Sequence, residues 1–152
     1  RLFFSYRMPP MERIGFLYAI AASITWGLAY TIDQKILQHA SPIFLLFMNA
    51  IITLIVTVPI ILLNGHLKSG LYLKHDTGYL IVAAQLLTMF ASLFILSGIK
   101  ILGASLASIF EITYPIFVII FSFLVFGGTF NMYFWIGSSL MFIGSLILIR
   151  LA

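Results

Sequence analysis

Residues 102–126, LGASLASIFEITYPIFVIIFSFLVF, form a long apolar run with one ionisable group, Glu111, and one proline, Pro115. About 20 apolar residues carry a helix across a hydrocarbon layer roughly 30 Å thick, so this run predicts a membrane span. A carboxyl inside a span is costly and faces a bundle interior or a water-filled cavity. Proline has no N–H to give the carbonyl four residues earlier, and here that carbonyl belongs to Glu111. Every backbone polar group in lipid needs a partner, so this turn must find one in a neighbouring helix, a side chain or water. Two readings follow. The turn either lines a polar cavity, or is a packed kink in which a protonated Glu111 is bonded to a tyrosine.

The composition places the whole chain in the membrane. Of 152 residues, 62% are hydrophobic and 8% charged, and the mean hydropathy is +1.17. Soluble domains are about 45–50% apolar and about 25% charged. The net charge of +4 comes from residues scattered at segment ends, as membrane flanks require. No basic face with interleaved aromatics marks a nucleic-acid binder. Cysteine is absent, which excludes disulfides, thiolate catalysis and cysteine metal sites. His39, His66 and His75 all fall in expected connections without ligand spacing, so no metal or cofactor is expected. No paired carboxylates, HExxH pattern or serine–histidine pair points to an intramembrane enzyme.

Outward from the central run, the chain reads as a basic flank, residues 1–13, and a membrane domain, residues 14–151, with spans at about 14–37, 42–63, 77–99, 102–126 and 132–151. The flank has no small-residue cleavage site after it. Position 1 is not methionine, so either Met8 or Met11 is the natural start or the chain is a fragment. Ala19, Ala22, Ser23 and Gly27 give the first span a small-residue face suited to close helix contact. Trp26 and Tyr30 lie four apart on one face, and Trp26 is too deep for an interfacial belt. Asp33 and Lys35 close this span as snorkelling end charges. Pro42 opens the second span at no hydrogen-bonding cost; Pro59 near its far end predicts a kink. Asn49 is its strongly polar residue, a candidate for interhelical bonding or for substrate. The third span carries Gln85, Thr88, Ser92 and Ser97, and residues 100–102 make a short link to the fourth. Gly127-Gly128 ends the fourth span; Gly137, Gly144 and Ser145 are small contacts in the fifth.

Five spans place the termini on opposite sides of the membrane. A cytoplasmic N-terminus puts Arg1, Arg7, Arg13, Lys68 and Lys74 inside, against Lys35, Lys100 and Arg150 outside; the positive-inside rule prefers it, and counting from Met11 the two sides tie. Glu111 lies about eight residues, or roughly 12 Å, into its span at 1.5 Å per residue. Asn49 lies at a similar depth from the same face, with Gln85 entering from the other. A polar layer in one half of the bilayer is expected.

The stretches AASITWGLAYTIDQKIL with a following SP, LGASLASIFEITYPIFVIIFSFLVFG and WIGSSLMFIGSLILI, in this order and spacing, resemble the EamA-like domain of the drug/metabolite transporter superfamily. The resemblance covers nearly all of residues 14–151. It implies an all-α five-helix unit, usually fused to a second in inverted orientation to enclose a central substrate cavity, a plan general among transporters. Pro115 matches the proline common in the family's fourth helix. Gly127-Gly128 stands where the family often has an acidic residue, which removes the basis for a salt bridge there. The implied function is a small-metabolite permease or exporter working by alternating access in a bilayer, with a prokaryotic cytoplasmic membrane expected, as a homodimer or with a second five-helix half. Trp26, Tyr30, Asn49, Gln85, Glu111 and Tyr114 are the candidate substrate-binding residues, with Glu111 the candidate proton carrier. A non-transporting membrane subunit or lipid-handling scaffold is the alternative, and would pack the polar layer dry.

Overall fold

The computed structural model describes residues 10–64, 75–127 and 132–151. They form an all-helical membrane bundle: α1 (Pro10–Leu37), α2 (Pro42–Asn64), α3 (His75–Leu102), α4 (Ala104–Glu111), α5 (Tyr114–Phe126) and α6 (Met132–Leu151). Helices α4 and α5 are the two halves of one broken helix, so the six segments make five helices among the described residues. Residues 42–64, 77–102 and 104–126 are each long and apolar enough to cross a membrane.

Local chemistry sets the ends. The Ser41 hydroxyl accepts the Phe44 N–H at 3.2 Å, satisfying one of the unpaired donors at the start of α2, while Pro42 occupies a position that needs no donor. Helix α2 continues through Pro59 to Asn64. The first helix begins at Pro10, inside the stretch read from sequence as flank, because proline suits an opening helical turn and Met11, Glu12 and Arg13 continue it readily. The third helix runs on to Leu102, so Gly103 alone links it to α4. Gly103 has φ 83° and ψ 161°, a conformation essentially confined to glycine, and this lets the chain reverse with no loop. Of the expected connections, residues 65–74 and 128–131 lie outside the described residues, as does the flank as far as residue 9.

The core is concentrated at one end. Tyr30, Leu37, Leu45, Leu96, Ile99, Ala104 and Ala107 are buried together, with Leu46 and Ile95 against them. These residues come from the end of α1, the start of α2, the end of α3 and the start of α4, so the packed end is the one holding the 38–41 turn and Gly103. Small residues let α3 and α4 approach: a Cβ on Gly98 would lie 3.8 Å from that of Ala107. On α6, which packs against α4, Ser138 and Ser145 are buried two turns apart. Away from this end the helices present apolar surface, and α5 buries none of its residues. Hydroxyls along the helices satisfy themselves locally: Ser23, Thr31, Thr57, Thr88 and Ser97 each donate to the carbonyl four residues back, so they do not compete for polar partners between helices.

Candidate functional site

The packed end stops where the fourth span breaks. α4 ends at Glu111, Ile112 and Thr113 form a turn, and α5 resumes at Tyr114 with Pro115 in its first turn. The expected kink is thus a full interruption. Pro115 cannot donate, and Thr113 turns back on α4: its N–H and its hydroxyl both donate to the Phe110 carbonyl, at 3.2 and 2.7 Å. The Ile112 N–H takes the Ser108 carbonyl at 2.9 Å.

At this break α1 meets the fourth span. The Tyr30 hydroxyl donates to Glu111 Oε1 at 2.8 Å. Tyr30 is only 8% exposed, the last rung of the core, whereas Glu111 is partly exposed. One turn back along α1 the packing opens. Trp26 is 59% exposed, its ring 5.5 Å from that of Tyr30 and tilted by 50°. In the other direction the same α1 row continues with Gln34, whose Oε1 accepts the Ala104 N–H at 2.7 Å. Trp26, Tyr30 and Gln34, four residues apart, therefore run along the fourth span from its open part to its anchored start. Lys100 Nζ donates to the Ala40 carbonyl at 2.8 Å and ties the end of α3 to the 38–41 turn. A shallow pocket of about 190 Å³ lies there, lined by Gln34, Leu37, Gln38, Ile99, Lys100 and Gly103.

Of the six candidate residues, Trp26, Tyr30 and Glu111 come together. Tyr114, 60% exposed, begins α5 on the far side of the break. Asn49 is exposed on α2, which packs on α3 and α1, and Gln85 is exposed on α3. Neither side chain has a hydrogen bond among the described residues, and neither joins the Tyr30–Glu111 contact. Gln34 was not singled out from sequence. Its signal was the four-residue step from Tyr30, which places it on the same face.

The chemistry available is a carboxyl held by a phenol at the mouth of a packed bundle end, beside an exposed indole. The sequence model of the EamA-like transporter family matches residues 13–150. No curated protein and no solved structure matches the chain.

Proposed function

The chain belongs to the EamA-like transporter family, and from that premise we propose that it is a five-helix unit of a small-metabolite permease working by alternating access. It is a multi-pass integral membrane protein of a transporter family, which supports transport over an enzymatic role. The observation that carries the proposal is the position of the Tyr30–Glu111 bond. It lies at the break in the fourth span and at the edge of the core, where one half of the bundle is closed and the other open. Substrate would enter from the open half, beside Trp26 and Glu111, and the closed half is the barrier that alternates. Asn49, Gln85 and Tyr114 would line the path once a second unit covers the open side.

A single unit leaves that path unwalled. The small-residue face of α1 is exposed at Ala22, Ser23 and Gly27, and a Cβ on Gly27 would meet nothing within 4 Å. Such faces allow close approach of a second helix. We assign it to contact with a second copy or a second five-helix half in the cell membrane, which for this chain we take to be the prokaryotic cytoplasmic membrane. Because the chain has no cysteine, Ser23→Cys or Gly27→Cys supplies the only thiol. Oxidative cross-linking in native membranes is expected to trap a dimer or a partner adduct at these positions and not at Leu63, near the far end of α2. Full transport by single-copy vesicles would overturn the paired assembly.

A further inference from the structure

Two facing walls of the bundle follow the same order of packing. Along α1, Trp26 is exposed, whereas Tyr30 and Leu37 are buried. Along the fourth span, Glu111 is partly exposed at the break, whereas Ala107 and Ala104 are buried. Past this packing the surface hollows again, into the pocket of about 190 Å³. Gln34, Leu37 and Gln38 line it from α1, and Ile99, Lys100 and Gly103 from the other wall. Leu37 and Ile99, at 2% and 1% exposure, are its dry floor. Helix α4 runs from Ala104 at the pocket to Glu111 at the break, roughly 10 Å at 1.5 Å per residue. That much packing keeps the two openings apart.

One wall of this packing is a short helix jointed at both ends. Gly103 alone links α4 to α3, and the turn at Ile112 and Thr113 separates it from α5, so α4 can tilt without carrying either neighbour. Helix α1 fastens α4 at each end by one side-chain bond. Gln34 Oε1 accepts the Ala104 N–H at 2.7 Å, and the Tyr30 hydroxyl donates to Glu111 Oε1 at 2.8 Å. Lys100 Nζ, donating to the Ala40 carbonyl at 2.8 Å, ties the end of α3 to the turn after α1. A hydrogen bond that water can replace adds little net stability, whereas a buried group left unpaired is costly. Gln34 and Lys100 are exposed, in the last turns of α1 and α3, so water can take over both bonds when the walls part. Such bonds close a passage without locking it, and the apolar floor beneath them seals it.

We propose that the pocket is the second mouth of the path, shut in this state, and that α4 is its gate, swinging off α1 on the joints at Gly103 and at Ile112 and Thr113. The inference rests on the permease reading and names its moving part. Opening joins the pocket to the break, and it requires the half beside Trp26 to close.

The test follows the reaction of a cysteine at position 107 with a charged, membrane-impermeant thiol reagent applied from the pocket side of oriented vesicles. The full chain has no cysteine of its own. Lys100→Met and Gln34→Leu each remove one fastening, and either is expected to speed the slow reaction at 107 about tenfold. Lys100→Arg and Gln34→Glu keep the donor and the acceptor and are expected to stay within twofold of the parent rate. Lys100 is exposed, so Lys100→Met decides the matter if Gln34→Leu does not fold. A second cysteine at position 26 then separates a gate from simple fraying. A bulky, impermeant maleimide attached there from the opposite side props that half open, and the fast reaction at 107 in Lys100→Met is expected to return to the parent rate. An unchanged rate at 107 in Lys100→Met, or a fast rate that the adduct at 26 leaves untouched, overturns the gate. The permease reading stands without it if position 26 takes the adduct from water; if 26 takes none from either side, both fall.

Discussion

Glutamine at position 111 is expected to lower proton-coupled solute movement in proteoliposomes by tenfold or more and to flatten its pH dependence, with thermal stability close to that of the parent chain. The reason lies in what each side chain offers Tyr30. The glutamine oxygen still accepts the Tyr30 hydroxyl, now 2.8 Å from Glu111 Oε1, and the side chain keeps its shape. Only the exchangeable proton and the charge are lost. A tenfold fall corresponds to about 1.4 kcal/mol at the transition state. Glu111→Ala is the less informative change, because it leaves a hydroxyl on a residue only 8% exposed without a partner, at a cost of about 1–3 kcal/mol. Stability and transport would then fall together. If the turn were a dry packed kink, Glu111→Gln would leave pH-dependent flux intact.

The second large effect is at Gly103. Alanine there is expected to destabilise the bundle by about 1–3 kcal/mol, the usual range for a residue forced into a conformation open essentially to glycine. Crowding is not the cause: the added Cβ would lie 3.5 Å from the Gln34 amide, an ordinary contact. The cost is in the backbone, at φ 83°, and it is compounded if the turn shifts and Gln34 loses the Ala104 N–H it accepts at 2.7 Å. Since Gly103 alone joins α3 to α4, the core around Ile99, Ala104 and Ala107 loosens with it. Thermal unfolding of the purified protein measures this; a Gly103→Ala protein as stable as the parent would contradict the turn described.

The helices were legible because apolar length and helix-end residues are local signals. Pro42 opens α2 and Gly127 closes α5, as their chemistry requires. The link before the fourth span was read three residues long because Lys100, Ile101 and Leu102 carry no breaker; only the backbone of Gly103 shows where the reversal falls. The Glu111–Pro115 spacing marked the disturbed turn, but its opening into a complete break depends on Thr113 folding back on Phe110. A tyrosine partner for Glu111 was one of the two readings, and Tyr30 supplies it at 2.8 Å; which tyrosine was not readable, because depth in a span says nothing of direction around the helix axis. Helices α2 and α3 are apolar over most of their circumference, so periodicity defines no inward face on them, and Asn49 and Gln85 are both exposed in the single unit. Small residues were equally ambiguous. The stripe on α6 is packed through Ser138 and Ser145, whereas the similar stripe on α1 lies open.

On this reading the break beside Tyr30 and Glu111 faces water from one side of the membrane. Single cysteines at Trp26, Thr113 and Ala107 test it most directly, each treated in intact and inverted vesicles with a charged, membrane-impermeant thiol reagent. Cysteines at 26 and 113 are expected to react from one side only, that of the start of α1, while the buried position 107 stays unreactive. Positions 26 and 113 that resist the impermeant reagent from both sides, yet react with a membrane-permeant maleimide, would contradict the claim.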